Sequence, residues 1–221
     1  MSSRELASLH QRWTTYQNLP KLTNHWYWRP GWQADRQFYT WHLTFEHQPD
    51  LHHLATHTQS QLALPELDLV PISALHLTMQ GVGFTDNVSV QDLSSIVAEA
   101  RQRCAELQPL RLMLGPVDPD AEGIGLLVQP WNQVEHLRAA IREAIGAVWQ
   151  DVPDAAEDFR PHVTIAYSGT SAPAGPIRDR LTALRHQPPV QVTVQQATLI
   201  ALRREHRTYR WTTVATAPLA G

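Results

Sequence analysis

Two histidine–threonine pairs stand out as residues whose types and spacing suit proton transfer. They are His76 with Thr78 and His162 with Thr164, each in the pattern H-x-T. This spacing places both side chains on one face of a β-strand. Histidine can act as an acid or as a base because its unperturbed pKa is about 6.5, so one ring can be neutral while another is charged near pH 7. The two pairs therefore indicate general acid–base chemistry assisted by hydroxyl donors.

The H-x-T pattern is weak on its own, and the chain contains four matches. The pairs that begin at His76 and His162 have apolar middle residues and flanks that can anchor the opposite face of a strand, and the second has a proline at the strand entry, where a missing N–H is tolerated. The match at His206 has a charged middle residue and is interpreted as a hairpin turn. The match at His42 passes the same local test and is a rival for the first pair.

These pairs must be positioned by strands, and the alternation of apolar residues predicts where those strands lie. The predicted strands span residues 38–45, 67–70, 74–80, 110–117, 124–128, 162–167, 190–202 and 209–215. Predicted helices follow Asp50, which is expected to cap residues 51–62, and Ser89, whose partner in a capping box is Asp92. Two further helices are expected at residues 134–149 and 177–186. Strand–helix units thus deliver one H-x-T strand in each half, which suggests two α+β lobes facing each other.

Residues 1–36 differ from the rest because they contain four of the eight tryptophans and a turn at Arg29-Pro30-Gly31. We interpret them as an extension packed on a main body of residues 37–221. The alternative is an exposed aromatic docking surface.

The composition limits the range of partners. The 221 residues are 43% apolar and 18% charged, which fits one domain or two small lobes that share an interface. A net charge of −3 gives no basic field for long duplex nucleic acid, so a nucleic-acid substrate would be short or would meet a local basic patch. The single cysteine, Cys104, is expected on a buried helix face.

The chain is expected to be a cytoplasmic monomer without a membrane, metal or cofactor partner. It starts without an apolar leader region, and no stretch approaches 18 apolar residues. Three histidines, His52, His53 and His57, share a predicted helix, but they lack carboxylate or cysteine partners at ligand spacing.

The two motifs resemble those of a known family, the 2H phosphoesterases, which include bacterial 2′-5′ RNA ligase-like proteins and RNA 2′,3′-cyclic phosphodiesterases. Residues 75–84, LHLTMQGVGF, resemble the first family motif and its glycine loop, and residues 159–167, FRPHVTIAY, resemble the second. The resemblance covers about residues 37–215, and the ordered pair of motifs is specific. The strand at residues 38–45 matches the opening strand of the family, which disfavours His42 as a catalytic residue.

The resemblance implies an α+β fold of two pseudo-symmetric lobes, each an antiparallel sheet with helices on its outer face. Both H-x-T pairs would line the central groove, and the substrates would be RNA ends or small cyclic nucleotides. The implied reaction is hydrolysis of 2′,3′-cyclic phosphate or 2′-5′ phosphodiester bonds. One imidazole would activate water and the other would protonate the departing ribose oxygen, while Thr78 and Thr164 bind nonbridging oxygens.

For a cyclic phosphate opened to a 2′-phosphate, His162 is the expected base and His76 the expected acid, although a pseudo-symmetric site can exchange these roles. The profile of kcat/KM against pH should then be bell-shaped, with limbs at about pH 6 to 7.5.

Two further residues are candidates for substrate binding. RNA ligase-like members often have an arginine three residues after the second threonine, and here that position is Tyr167. Tyr167 would stack on a base or bind phosphate through its hydroxyl, or simply pack. His42 would contact substrate or support the site, or be a plain buried histidine. Four arginines near the C-terminus would guide an RNA end or form a solvated hairpin: Arg203, Arg204, Arg207 and Arg210.

Two other classes of function compete with an enzyme. A noncatalytic RNA-end or nucleotide-binding module would keep the same groove, but simple binding would tolerate the loss of either imidazole, so the intact quartet favours catalysis. A protein-interaction scaffold would use the N-terminal tryptophans, and removal of residues 1–36 without exposure of the core would distinguish it.

Overall fold

The computed structural model describes residues 2–155 and 159–220. Within these residues the strands are β1 (Phe38–Thr44), β2 (Leu67–Leu69), β3 (His76–Phe84), β4 (Leu110–Pro119), β5 (Gly123–Gln129), β6 (His162–Ser168), β7 (Val190–Val194), β8 (Gln196–Glu205) and β9 (Thr208–Pro218). The helices are α1 (Ser3–Gln17), α2 (Pro49–Gln61), α3 (Val90–Cys104), α4 (Trp131–Gly146) and α5 (Gly175–Leu184). A short 3-10 turn spans Ile72–Ala74.

The strands form two antiparallel sheets, and each sheet contains one of the two selected H-x-T pairs. The first sheet has the order β3-β1-β8-β9, and the second has the order β2-β6-β5-β4-β7. His76 lies on β3, at the edge of the first sheet, and His162 lies on β6, one strand from the edge of the second. Strands β3 and β6 contact each other where the two sheets meet. The predicted α+β, two-lobed fold is confirmed.

The helices cover the two sheets in a crossed arrangement. Helices α3 and α4 pack on each other and against β9 and β3 of the first sheet, while α2 packs on β7 and β6 of the second. Yet α2 follows β1 of the first sheet, and α4 follows β5 of the second. The connections between strands therefore tie the two lobes to each other.

Alternation along β3 and β6 sets the direction of the histidines and threonines. Leu77 and Met79 on β3, and Val163 and Ile165 on β6, are buried in the core. Burial of side chains of this size stabilises the fold by about 1.5–3 kcal/mol each. Because successive strand residues point to opposite faces, this anchoring turns both H-x-T pairs away from the core.

Several predicted boundaries hold, and others need correction. Ser89 is the N-cap of α3 and its hydroxyl accepts a hydrogen bond from the Asp92 backbone N–H, as predicted. Asp50 is not a cap, because α2 begins at Pro49 with Gln48 as N-cap. Proline favours the first helical position, since its missing N–H would be unbonded there in any case. Helix α4 ends at Gly146, before the predicted end at residue 149.

The match at His206 lies in the turn between β8 and β9, as predicted. His206 and Arg207 have φ angles of 46° and 57°, and such paired left-handed residues form the tight turns of two-residue hairpins. His206 and Thr208 therefore do not share a strand face.

The N-terminal residues contact the main body at several points. Leu9 of α1 packs with Leu127 and Trp131, while Tyr16 and Leu22 are buried in the main core. Cys104 is buried at the end of α3 and forms no disulfide. Among the described residues, no helix has the length and apolar character needed to cross a membrane.

Candidate active site

A cavity of about 290 Å³ lies between the two sheets and contains both H-x-T pairs. All six residues predicted for the site line it: His42, His76, Thr78, His162, Thr164 and Tyr167. The volume is at the lower end of the range for small-molecule sites, about 300–1,000 Å³. A cavity of this size suits a small molecule.

The two catalytic candidates are held in the same way. The Nδ1–H of His76 donates a hydrogen bond to the carbonyl oxygen of Ala74, at 2.8 Å, and the Nδ1–H of His162 donates to that of Arg160, at 2.9 Å. A carbonyl oxygen can only accept, so Nδ1 must carry the proton in each ring. In the neutral rings Nε2 is then the basic nitrogen, and each ring can exchange a proton through it.

Burial sets the charge of these rings. It lowers the pKa of His76 to about 4, against the raising effect of the Ala74 hydrogen bond, and nearby His162 lowers it further. Burial is also the main cause that lowers the pKa of His162, and the charge of Arg160 adds to it. Both rings are therefore neutral near pH 7. A negatively charged substrate would favour protonation of one of them.

A buried ion-pair network supports the carbonyl that orients His162. The guanidinium of Arg160 pairs with Asp118, whose side chain is only 1% exposed. Arg12 of α1 donates to the same carboxylate at 3.1 Å and also contacts Asp120. Because removal of one partner would leave a buried charge uncompensated, this network fixes the approach to β6 and links α1 to the site.

His42 lies against His76 and has no exposed surface. Their rings are parallel, with centroids 4.5 Å apart and an interplanar angle of 3°. His42 pairs with Thr78 in the register of β1 and β3, and its Nε2 is 3.4 Å from the threonine hydroxyl. Burial lowers the pKa of His42 well below its usual value, so the ring is neutral. This geometry suits a residue that supports His76.

Tyr167 contacts His25, a residue that the sequence analysis did not predict for the site. Its ring stacks on His25, with centroids 4.1 Å apart, and its edge contacts Tyr209. His25 donates from Nδ1 to Glu122 at 3.0 Å, and the Tyr209 hydroxyl donates to its Nε2 at 2.9 Å. Burial lowers the pKa of His25 to about 3 and raises that of Tyr209, which keeps both groups neutral.

Besides the six predicted residues, ten other described residues line the cavity, and the sequence analysis missed them or left them open. Five of the ten are His25, Arg29 and Trp32 from the N-terminal segment, and Arg204 and Tyr209 from β8 and β9. The three N-terminal residues lie in irregular backbone, so no periodicity marks the face that they present. The concentration of tryptophans was the one available signal.

The other hairpin arginines are paired with carboxylates. Arg207 lies 2.8 Å from Asp68, while Arg203 and Arg210 lie 3.2 and 3.9 Å from Glu205. Of the four arginines, Arg204 alone lines the cavity between the sheets.

On α2, His52 hydrogen-bonds to the carbonyl of Phe45. Within residues 2–155 and 159–220, no group of three or more His, Cys, Asp and Glu side chains is arranged to hold a metal ion.

Solved structures with the same fold come from several bacteria. TT0787 of Thermus thermophilus is 16% identical, and the match covers 83% of this chain and 98% of that chain with a TM-score of 0.64. LigT of E. coli, solved in complex with 3′-AMP, is 18% identical over 85% of this chain and 100% of its own, with a TM-score of 0.64. ATU0111 from Agrobacterium tumefaciens str. C58, a conserved protein of unknown function, is 12% identical over 97% and 99%, with a TM-score of 0.56.

The family is established by sequence. No curated protein matches the chain. The family model of the 2′-5′ RNA ligase superfamily matches residues 63–206, which is more than half of the chain and includes both H-x-T pairs. The predicted resemblance to 2H phosphoesterases is thereby confirmed, and the chain belongs to the 2′-5′ RNA ligase superfamily.

Proposed function

We propose that the cavity is the active site of a metal-independent phosphoesterase that hydrolyses 2′,3′-cyclic phosphate or 2′-5′ phosphodiester bonds of RNA ends or nucleotides. The observation that carries this proposal is the equivalent presentation of His76 and His162. Both rings line one cavity, and in both the Nδ1–H is bound to a backbone carbonyl two residues earlier. Two imidazoles held in one tautomer are suited to give and take protons at a shared substrate.

For a cyclic phosphate, His162 acts as the base. Its Nε2 takes a proton from water as the water oxygen attacks phosphorus. The bond between phosphorus and the 3′-oxygen breaks, and protonated His76 delivers a proton from Nε2 to that oxygen, which leaves a 2′-phosphate. The hydroxyls of Thr78 and Thr164 donate hydrogen bonds to the nonbridging oxygens as charge accumulates on them.

The remaining candidates have supporting or binding roles in this proposal. His42 holds the plane of the His76 ring by stacking, and its burial leaves little of its surface accessible to the substrate. Tyr167 lines the cavity beside Thr164, so its ring or hydroxyl contacts the substrate. Its pKa is raised by burial, which keeps the hydroxyl protonated and able to donate.

The proposal is tested with a substrate panel in excess EDTA. The panel contains 2′,3′-cyclic mononucleotides, oligonucleotides with cyclic ends and 2′-5′-linked dinucleotides, and chromatography identifies each product isomer. We expect turnover of at least one class, with a 2′-phosphate product from the cyclic substrates. The double variant His76→Ala, His162→Ala is the control for contaminating activity.

Binding of these compounds without turnover would contradict the proposal and favour a noncatalytic RNA-end or nucleotide-binding module. Complete loss of activity in EDTA, with recovery on addition of a divalent ion, would contradict the metal-independent mechanism.

A further inference from the structure

The segment of residues 25–32, here called the strap, connects the two sheets beside the active-site cavity. At its start, His25 is hydrogen-bonded to Glu122, in the turn that joins β4 and β5 of the second sheet, and to Tyr209 on β9 of the first. At its end, the ring of Trp32 lies 5.7 Å from that of Phe38 on β1. The strap is thus fixed to both lobes, and three of its residues line the cavity.

The backbone of the strap is held by an arginine from β8. Arg204 donates hydrogen bonds to the carbonyl oxygens of Tyr27, at 2.9 Å, and His25, at 3.3 Å. Its guanidinium also lies 5.3 Å from the ring centroid of Trp26 and 5.2 Å from that of Trp28. Arg204 is therefore occupied with positioning the strap.

Arg29 is the other guanidinium among the described residues that line the cavity. It also lines an adjoining cavity with His162, Thr164 and Tyr167, so it lies on the side of the site formed by β6. Its Nη2 pairs with Glu122. Its buried Nε has no hydrogen-bond partner among the described residues. A guanidinium has five N–H donors, and this one is only partly satisfied by the protein.

The pairing with Glu122 leaves room for a second anion. The Glu122 carboxylate is shared between Arg29 and His25, and its side chain is 33% exposed. A carboxylate on one edge of a guanidinium orients the group, and the other edge can still bind phosphate oxygens.

We propose that Arg29 is a phosphate-binding residue of this active site, contributed by the strap. The assignment rests on the proposed function, since the phosphate is that of the substrate held between His76 and His162. Arg29 would donate charge-assisted hydrogen bonds to nonbridging oxygens on the side of Thr164. The strap would then complete the site.

The test uses the full chain and two phosphate probes, 3′-AMP and inorganic phosphate, with affinity measured by isothermal titration calorimetry at low ionic strength. Removal of a hydrogen bond to a charged group weakens binding by roughly tenfold to a hundredfold. We expect a loss of this size for Arg29→Met and a smaller loss for Arg29→Lys, which keeps the charge but loses the planar fork. Arg103→Met, which removes a surface ion-paired arginine from α3, is the matched control and should bind like wild type.

The variant Glu122→Gln distinguishes phosphate binding by Arg29 from a purely structural role of the Arg29–Glu122 ion pair. This variant removes the same ion pair as Arg29→Met but keeps the positive charge and an oxygen acceptor. We expect the two variants to lose similar thermal stability, whereas Glu122→Gln should bind both probes at least as tightly as wild type. An equal loss of affinity in both variants would show that the ion pair matters only for structure, and would overturn the assignment.

Failure of this assignment is distinguishable from failure of the proposed function. Wild-type protein that binds the probes together with an Arg29→Met variant of equal affinity would overturn the role of Arg29 alone. Wild-type protein that binds neither probe and also turns over no member of the substrate panel would overturn the proposed function and this assignment with it.

Discussion

The pH dependence of hydrolysis should differ between the free enzyme and its complex with substrate. The value of kcat/KM follows the protonation of the free enzyme, and kcat follows that of the complex. With a pKa of about 4, His76 is protonated in about one molecule per thousand at pH 7, whereas an unshifted histidine would be protonated in about one of four. The pKa of His162 is also lowered, so both limbs of the kcat/KM profile should lie below pH 6.5. From the unshifted pKa of histidine, the limbs were expected at a higher pH, about 6 to 7.5.

Substrate binding should shift the pH profile of kcat to higher pH than that of kcat/KM. A phosphodiester carries one negative charge, and at 4 Å from an imidazolium this charge contributes about 4 kcal/mol at an effective dielectric constant of 20. At 1.36 kcal/mol per pKa unit, that interaction raises the pKa of the protonated ring by about three units. The maximum of kcat should therefore lie at least about one pH unit above the maximum of kcat/KM. Because the two rings share one phosphate, each limb belongs to the pair.

The assay is hydrolysis of 2′,3′-cyclic AMP, followed by chromatography from about pH 3.5 to about pH 9 at constant ionic strength, with far-UV circular dichroism to verify folding. Thr78→Val is the matched control, because loss of a hydroxyl donor should lower the rate without moving either limb. His76→Ala should remove one limb. A kcat/KM profile that rises to a plateau above about pH 7.5, or profiles of kcat and kcat/KM that coincide, would refute the reasoning.

Two further predictions concern individual histidines. His76→Ala and His162→Ala should each lower kcat by roughly 10²–10⁴-fold with unchanged circular dichroism, while His42→Gln should lower kcat by less. An active His76→Ala variant together with an inactive His42→Gln variant would show that the catalytic role had been assigned to the wrong residue. Acidification from about pH 6.5 to about pH 4 should lower the free energy of unfolding, because the buried histidines bind protons more readily in the unfolded chain than in the folded one. His76 alone accounts for about 3 kcal/mol of this loss. Urea midpoints measure this effect; His25→Gln should flatten the dependence, and a midpoint constant over this range would contradict it.

Many of the strands and helix starts could be predicted because they follow local sequence patterns, such as apolar alternation and helix capping. The apolar residues that alternate with His76 and Thr78, and with His162 and Thr164, fix both strands and the face that each presents. Ser89 marked a helix start because its hydroxyl satisfies a backbone N–H that the helix leaves free. The prediction that Asp50 caps α2 was wrong. Both Pro49 and Asp50 are typical of a helix start, and the helix begins at Pro49.

No local sequence pattern predicted how the two lobes pack together or which N-terminal residues line the cavity. Nothing in the sequence of α2 shows that it packs on the sheet opposite to that of the strand before it. Arg29 and His25 lie in irregular backbone, and their positions depend on partners distant in the chain such as Glu122 and Tyr209. Such contacts follow from tertiary packing, which spacing alone does not encode.

The strand order has a consequence for how the chain matures during synthesis. Among the described strands, β3, which contains His76, pairs only with β1, and β1 has its other neighbour in β8, near the C-terminus. Two strands alone are marginally stable in water, so the first sheet has no lasting form until residues 196–218 have left the ribosome. A nascent chain therefore contains both selected H-x-T pairs before it can assemble the groove between the two sheets. Truncation after residue 195 would keep His76, Thr78, His162 and Thr164 but would remove the strands that complete the first sheet.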